Sequence, residues 1–493
     1  MKATKMRVCS LSVMLAAASL VGLRAGDHDV EVTRKDFGLR VQRQLWAHSE
    51  QLFGVTKPLP ESALGPFTGS DSSAAVTVAE GLTVTVVSNA THPENDMMVL
   101  WPNDENPTHA IIAVEGDTSD PCVQVVDLNG NPNSNARTIL SGLTRSDPIR
   151  RTPSGTVVVG EEVEDGGLYE IFDPVGIQTV VQVTDRATGA TTDNRVVKRK
   201  AIGLLAWEGN PVLQDGTMYY GDELRPSQGT AGGGIFKFVP DQPYLGGGPI
   251  TNPTLSPFAS GKIYGLRLGT NSGNTDYGQG AEIGKGIWVL IDAIPDANGN
   301  IGLRAAQAAL KLTGYYRPED MEQDPIAKAE GVTRLCWTNT GRMSNGGNSV
   351  VEAAANYGEV LCLVDAPSAS AESGAVPQVT RFFGGDPDAN HFDNIAFQPS
   401  TGRLVVLEDG GVEVVKGNGQ TELRGNDVWM LLPDGADRDV QSDGVIRILS
   451  VRDTSAEPTG IVFDASGENA YLHIQHRSIG FGALLKISGF KVK

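Results

Sequence analysis

Acidic residues recur in pairs directly after short β-forming runs, and further acids precede those runs. The pairs are Glu161-Glu162, Asp222-Glu223 and Glu408-Asp409, and the preceding acids include Glu208 and Asp393. Carboxylate oxygens are the ligands that hard cations such as calcium prefer, about six to eight to an ion. Crowded carboxylates raise one another's pKa unless a cation or a basic group neutralises them. The residue types and their recurrence therefore predict a metal-binding site.

The acids belong to a sequence unit that occurs four times. Each copy has an acid, an apolar run, a turn with glycine, a second β run and a polar pair; the turns are Ser154-Gly155, Asp215-Gly216, Thr401-Gly402 and Ser466-Gly467. The last copy ends in Gln475-His476 instead of two acids. Repeated β-hairpins of this kind are typical of a propeller or a solenoid. Such an architecture would bring the polar ends of the hairpins together around one axis.

Short β runs separated by Gly, Asn, Asp and Pro continue from Leu82 almost to the end of the chain. This pattern predicts an all-β protein. We expect a six-bladed β-propeller over residues 81–493, with seven blades as the alternative, because such a fold accommodates a long chain as one domain. Two insertions interrupt the rhythm: residues 304–310 predict a helix, and residues 184–200 predict a polar loop.

The N-terminal region has a different composition. Residues 1–25 have the layout of a secretory signal peptide, with basic residues ahead of an apolar stretch over residues 11–23. This predicts export to the periplasm or the extracellular space. No segment has the roughly 20 apolar residues that a membrane span needs, so we expect none. Residues 26–80 are expected to form a linker with one helix, indicated by the spacing of Phe37 and Val41.

The overall charge limits the possible partners. A formal net charge of -19 and a pI near 4.8 exclude a sequence-independent nucleic-acid binder, because phosphate backbones are held by clustered Lys and Arg. Cys122, Cys336 and Cys362 follow the leader, and no CxxC spacing occurs. An odd number of cysteines without that spacing argues against a disulfide framework or a zinc site. We expect buried free thiols at Cys336 and Cys362, with a bridge between them as the alternative.

Five short segments, in chain order, resemble the PhoX-type alkaline phosphatase family. They are residues 101–102 (WP) with 106–109 (NPTH), 152–156 (TPSGT), 161–162 (EE), 317–320 (RPED), and 457–460 (EPTG) with 475–476 (QH). The resemblance extends from residue 81 to residue 478, which is most of the chain. Each segment alone is unspecific, but the presence of all five in one order is specific to the family.

The resemblance implies a six-bladed propeller with calcium and iron ions at one mouth of its channel. It implies hydrolysis of small phosphomonoesters outside the cytoplasm, with Arg317 holding the substrate phosphate next to Glu319. An Arg fork suits a phosphate edge better than a Lys does. Together with the repeat, the resemblance gives the candidate metal ligands Glu115, Glu161, Glu162, Glu208, Asp222, Glu223, Glu319, Asp393, Glu408 and Glu457. We expect the protein to be a monomer.

One position departs from the family pattern. Iron-containing members carry a cysteine before the Glu-Glu pair, whereas this chain has Gly160, which offers no side-chain ligand. The leader also lacks the Arg-Arg pair that serves the export of proteins already folded around a cofactor. We therefore expect a calcium-dependent phosphatase and regard Fe3+ as disfavoured.

Two other functions are compatible with a calcium-bearing propeller. One is a lactonase-like ester hydrolase, against which Arg317 argues because a neutral lactone needs no phosphate clamp. The other is a non-catalytic surface or binding scaffold in which calcium only stiffens the blades.

Overall fold

The protein consists mainly of antiparallel strands, with few helices. The computed structural model describes residues 37–65, 67, 69–226, 231–269, 283–341, 357–365, 376–386, 388–409, 412–415, 421–435, 439–477, 480 and 482–492. The predicted signal peptide at residues 1–25 lies outside the described residues and stays a prediction. By its internal contacts the chain divides after Arg43, and the elements below belong to the larger unit, apart from the start of the first helix.

The predicted N-terminal helix is two helices in succession. Helix α1 is Phe37–Ala47 and α2 is Ser49–Phe53, with the break at His48. Phe53 is fully buried in the apolar core of the main unit. Within the described residues, none of the helices has the length and apolar character needed to cross a bilayer.

The first two sheets are each based on an antiparallel meander. The first contains the meander β3 (Asn95–Trp101), β4 (His109–Val114), β5 (Pro121–Asp127) and β6 (Ala136–Ser141). It is extended by β10 (Val181–Asp185), which pairs in parallel with β6, and by β11 (Ala190–Thr191), which is antiparallel to β10. The second contains β7 (Ser146–Arg151), β8 (Thr156–Glu161), β9 (Leu168–Phe172) and β12 (Val196–Lys198).

The next sheet has eight strands and consists of two meanders joined edge to edge. They are β13 (Met218–Gly221), β14 (Ile235–Pro240), β15 (Gly261–Leu268) and β16 (Gly284–Leu290), and then β17 (Pro318–Gln323), β18 (Thr333–Asn339), β19 (Glu359–Asp365) and β20 (Gln378–Gly384). The junction is the pairing of β16 with β20. The predicted helical insertion is confirmed as α3 (Leu303–Leu310), and a short α4 (Pro325–Ala329) follows β17.

The last two sheets are completed by strands from the N-terminal part of the chain. One contains β21 (Phe392–Phe397), β22 (Leu404–Glu408), β25 (Asp427–Leu431) and β26 (Val445–Val451) with β1 (Val76–Val78), and the other contains β27 (Glu457–Phe463), β28 (Asn469–Gln475) and β29 (Ala483–Ser488) with β2 (Thr83–Ser88). Strands β23 (Val412–Val415) and β24 (Thr421–Arg424) form a separate hairpin. The predicted start of the propeller at residue 81 thus lies between two strands that both belong to its sheets.

The innermost segments of these sheets surround a common axis. They are β3, β7, residues 206–212, β17, β21 and β27, and each contributes residues to one cavity of about 320 Å³. Dividing the eight-stranded sheet at its junction gives six units, numbered one to six below in chain order. The all-β propeller predicted from the sequence is confirmed, and the number of blades stays a prediction.

Apolar clusters between neighbouring units hold the innermost strands in place. Between the first two units, for example, Met97 and Ile111 pack with Ile149 and Val157, and all four are buried. Each such side chain contributes about 1.5–3 kcal/mol when it is fully buried. The polar ends of the innermost strands are therefore carried by a rigid apolar framework.

The prediction of free thiols at Cys336 and Cys362 is wrong, because these residues form a disulfide. They lie directly opposite each other on β18 and β19, with a Cα–Cα distance of 4.0 Å. The cross-strand register that brings the two sulfur atoms together cannot be read from their spacing in the sequence. Cys122 is a buried free thiol.

Candidate metal centre

The innermost strand of each unit has an extra residue near its start. In the second unit Ser146 pairs with Glu161, but the next pair is Ile149 with Val159, so two residues of β7 lie opposite one residue of β8. The same register shift occurs in β3, β17, β21 and β27. In the third unit the bridges Trp207–Asp222 and Val212–Met218 also enclose one extra residue on the inner segment. Bulges of this kind change the direction of a side chain and are frequent beside active sites.

The first residue of the bulge is acidic in five of the six units. These residues, here called the bulge acids, are Asp96, Asp147, Glu208, Glu319 and Asp393. The sixth unit has Gly460 with a φ of 57°, and a Cβ atom there would lie 2.3 Å from the carbonyl oxygen of Asp96. This close approach requires glycine and excludes a sixth carboxylate at that point.

Each predicted acid pair at the end of a second strand is divided between two faces. Successive side chains of a strand point to opposite sides, so only one acid of a pair can point towards the bulge acids. Glu162 is that residue in the second unit, because its carboxylate belongs to the same group as Asp147 and Glu208. Glu223 and Asp409 both lie against Arg317, within 2.5 and 3.5 Å of its guanidinium.

The first acid of each pair is held by the surrounding chain. Glu161 accepts hydrogen bonds from the backbone N–H groups of Thr144 and Gly167, each at 3.1 Å, and from Nε of Arg186 at 2.5 Å. Both carboxylate oxygens of Glu161 thus accept hydrogen bonds from the protein, although the sequence predicts it as a metal ligand.

Asp222 and Glu408 have similar surroundings. Arg304 donates to Asp222 from Nε at 2.8 Å and from Nη2 at 3.0 Å. Glu408 accepts hydrogen bonds at 3.0 Å from the backbone N–H groups of Asn390 and Asp427 and from the indole of Trp429. Both carboxylates therefore support the loops and strands behind the site.

Five carboxylates form what we call the acidic cluster. Its first group is Asp147, Glu162 and Glu208, and its second is Glu208, Glu319 and Asp393; within each group the oxygens that face one another lie within 4.8 Å. Glu208 belongs to both groups. The five residues belong to four different units that are far apart in the sequence. Only the closed ring of units brings these carboxylates together.

Burial and mutual repulsion disfavour ionisation within the acidic cluster. Burial raises the pKa of Glu208 well above its usual range, and the neighbouring charge of Asp147 raises it further. The pKa of Asp147 is raised well above its ordinary value by burial and by Glu162, and that of Asp393 by burial and by Glu319. Burial raises the pKa of Glu319 to about 8. A bound cation would reverse these shifts by stabilising the carboxylate form.

The donor set fits a hard cation. Oδ1 of Asp147 and Oε2 of Glu208 are buried without a hydrogen-bond partner among the described residues. Unpaired buried oxygens of this kind are costly unless an ion takes them as ligands. The surroundings of Gly160 do not fit a cysteine ligand, because a Cβ atom there would lie 2.5 Å from Cβ of Trp207 and 3.0 Å from Cγ of Pro148. A thiolate ligand at this position would therefore require Trp207 or Pro148 to move.

Arg317 lies at the edge of the acidic cluster. Its Nε donates to Glu223 at 2.5 Å, and its Nη2 lies 3.1 Å from Oε1 of Glu319 and 3.5 Å from Oδ2 of Asp409. The Thr340 hydroxyl also donates to Glu319. The guanidinium is thus held in one orientation by the acids around it.

The remaining predicted ligands lie near the acidic cluster without joining either group. Glu115 pairs with Arg145, whose Nη2 is 2.5 Å from Oε1, and also accepts from Gln475 at 3.1 Å. Oε1 of Glu457 lies 3.1 Å from Nε2 of His476. Burial and the neighbouring Asp409 raise the pKa of Glu457 well above its usual range.

The set of ligands predicted from the sequence does not include several residues of the site, namely Asp96, Asp147, Asp409 and Arg145. Asp147 was visible as the acid that opens one copy of the repeat, and it occupies the same position as Glu208 and Asp393. Asp96 lies outside the four copies, although it follows the same rule of one acid directly after the first residue of the inner strand.

A comparison with protein-family models identifies the family. A family model described as alkaline phosphatase PhoX matches residues 180–478, which is more than half of the chain. The structure of Pseudomonas fluorescens PhoX in complex with vanadate, a transition-state analogue, is similar over 87% of this chain and 98% of that chain, with 16% sequence identity and a TM-score of 0.57. At this identity the likeness shows a shared fold.

Two further structures are less similar to this chain. A pyranose dehydrogenase PQQ domain from Coprinopsis cinerea covers 84% of this chain and 97% of its own, at 10% identity and a TM-score of 0.37. A gluconolactonase from Xanthomonas campestris covers 87% of this chain and 97% of its own, at 12% identity and a TM-score of 0.35. A comparison with curated proteins gives no significant match. By the extent of the family match, this chain belongs to the PhoX family of alkaline phosphatases.

Proposed function

We propose that this phosphoric monoester hydrolase binds calcium in the acidic cluster and hydrolyses small phosphomonoesters there. The observation that carries the proposal is the position of Glu208, which belongs to both groups of carboxylates. A carboxylate shared in this way could be a ligand in two neighbouring cation sites. Asp147 and Glu162 would complete the first set of ligands, and Glu319 and Asp393 the second.

The side chains have separable tasks in this proposal. When bound, the cations supply charge that stabilises the phosphoryl group and activates water. Arg317 binds the substrate phosphate with its guanidinium, and Glu223 and Glu319 orient that guanidinium before substrate arrives. Thr340 fixes the carboxylate of Glu319 by donating a hydrogen bond to it. Arg317 offers nothing specific to a neutral ester, which supports a phosphate ester as the substrate.

The proposal includes calcium rather than iron as the required ion. The crowding around Gly160 supports this choice, because a cysteine there would displace Trp207, the residue before Glu208. It also includes export, which rests on the signal-like composition of residues 1–25.

The test uses the mature protein without residues 1–25. Its metal content is measured by elemental analysis, and hydrolysis of a nitrophenyl phosphate monoester is followed before chelation, after chelation, and after return of calcium or of ferric iron. We expect calcium in the purified protein, loss of turnover on chelation, and recovery with calcium alone. Recovery only with iron would contradict the choice of metal. Absence of turnover with every ion would contradict the proposed reaction.

A further inference from the structure

Arg145 and Arg317 occupy equivalent positions in two units of the fold. Each is the residue directly before an innermost strand, β7 for Arg145 and β17 for Arg317. Each has a left-handed backbone conformation, with a φ of 46° for Arg145 and 53° for Arg317. This conformation costs about 1–3 kcal/mol for a residue other than glycine, and such residues cluster at functional sites.

The backbone hydrogen bonds of the two arginines are also equivalent. The N–H of Arg145 donates to the carbonyl of Gly116, and that of Arg317 donates to the carbonyl of Leu224. Gly116 follows Glu115, and Leu224 follows Glu223, so each bond joins an arginine to the residue after an acid of the preceding unit. The backbone of each arginine is therefore attached to the preceding unit in the same way.

Their side chains repeat the relationship. Arg145 pairs with Glu115 through Nη2 at 2.5 Å and Nε at 3.0 Å. Arg317 pairs with Glu223 through Nε at 2.5 Å. In both cases the partner is the acid of the preceding unit. The correspondence covers backbone conformation, backbone hydrogen bonds and ion pair, and in both units the arginine stands two residues before the bulge acid, Asp147 or Glu319.

The two arginines contact different groups of the acidic cluster. Arg145 contacts Glu162 of the first group, with Nη2 2.5 Å from Oε2. Arg317 contacts Glu319 of the second group, and Glu208 is common to both groups. The side chain of Arg145 is 50% exposed and that of Arg317 is 16% exposed, so Arg145 has the larger open surface.

We propose that Arg145 is a second substrate-binding residue, which holds the phosphate of the ester together with Arg317. This inference rests on the proposed function. In Arg145 the Nε and Nη2 groups already donate to Glu115 and Glu162, and in Arg317 the same two groups already face acids. The Nη1 group of each guanidinium can donate to a phosphate, which has enough nonbridging oxygens to accept from both arginines. Because Glu115 and Glu162 already neutralise Arg145, its guanidinium is oriented without being closed off from solvent.

A purely structural role for Arg145 makes a different prediction. If the arginine serves only to neutralise Glu115 and Glu162, its removal should alter metal content and thermal stability, and lysine should replace it. If it binds phosphate, its removal should weaken phosphate binding at full metal content, and lysine should restore only part of the affinity because it lacks the fork.

The experiment compares the calcium-loaded mature protein with its Arg145→Ala and Arg145→Lys variants. Arg195→Ala is the matched control, because Arg195 is 34% exposed and pairs with Asp193 at 2.6 Å on the loop between β11 and β12. Calorimetry measures the binding of inorganic phosphate. Steady-state kinetics with a nitrophenyl phosphate monoester gives KM and kcat, and elemental analysis gives the metal content.

We expect Arg145→Ala to weaken phosphate binding and to raise KM by about tenfold or more, the effect of losing charged hydrogen bonds. Metal content and melting temperature should match those of the Arg195→Ala control. The inference would be overturned if the phosphate affinity of Arg145→Ala were unchanged, or if that affinity fell only in proportion to a loss of bound metal. It would also be overturned if the wild-type protein did not bind phosphate. Phosphate binding that depends on Arg145 in a protein without turnover would support the inference while contradicting the proposed reaction.

Discussion

Nη2 of Arg317 lies 3.1 Å from Oε1 of Glu319, two residues further along the same chain segment. The pair joins the proposed phosphate-binding group to the proposed metal-binding group. We expect Arg317→Ala to lower kcat/KM by about a hundredfold or more, because a charged and oriented phosphate contact is lost. Steady-state kinetics with a phosphomonoester measures this effect.

The control for this prediction is Arg334→Ala. Arg334 lies away from the acidic cluster. Like Arg317 it is mostly buried, with 20% of its side chain exposed, and it forms an ion pair, with Asp324 at 2.7 Å. The Arg334→Ala variant should have a lower melting temperature without a comparable loss of kcat/KM. Equal losses of activity and melting temperature in Arg317→Ala would instead indicate a structural role for Arg317.

Glu208 and Glu161 provide a second test. Glu208→Gln should reduce bound calcium more than any other single replacement, because Glu208 belongs to both groups of the acidic cluster. Glu161→Gln should retain calcium but lower the melting temperature, because Glu161 is surrounded by hydrogen-bond donors of the protein. Elemental analysis and thermal denaturation of both variants separate the two effects. Loss of calcium from Glu161→Gln would restore it to the set of ligands predicted from the sequence.

His473 makes stability depend on pH. Burial lowers the pKa of His473 from 6.5 to about 4. The unfolded chain therefore takes up a proton at a higher pH than the folded chain, so this contribution is complete above pH 6.5 and is lost as the pH falls towards 4. The full loss is about 3 kcal/mol.

The measurement is denaturant-induced unfolding of wild type and His473→Gln between pH 7 and pH 5. The wild type should lose about 2 kcal/mol more than the variant over this range, because only the wild type carries the titrating imidazole. Identical pH dependence in the two proteins would show that His473 does not contribute.

The disulfide between Cys336 and Cys362 should stabilise the fold. It closes a segment with a sequence separation of 26, for which the stabilisation is about 3 kcal/mol. We expect reductant, or the double replacement Cys336→Ser with Cys362→Ser, to lower the melting temperature. Cys122→Ala should keep the response to reductant, since Cys122 is not in the bridge. A melting temperature that is insensitive to reductant would argue that the bridge does not form.

Much of the fold follows from local pattern. The apolar run at residues 156–159 and its turn at Ser154-Gly155 predict a hairpin, and the structure has β7 and β8 there. The helix predicted at residues 304–310 is present as α3. These elements depend on residues close together in the chain, which is why the sequence indicates them.

The site was less accessible to sequence reasoning. Glu161 and Glu162 are adjacent and chemically alike, yet one is held by Arg186 while the other belongs to the acidic cluster. Which of two neighbours points towards the channel depends on strand register, and a shift by one residue exchanges them. The bulge that directs Asp147 leaves no mark in the sequence beyond the acid itself.

The sequence by itself determined the β-rich repeat, the acidic character of its ends and the family to which the segments point. Only the tertiary structure decided which carboxylates share a site, that Glu208 joins two groups, that Cys336 meets Cys362, and that Arg145 repeats the setting of Arg317. The physical reason is that strand propensity and turns act over a few residues. The site instead depends on bulges, cross-strand register and the packing of units that are far apart in the chain.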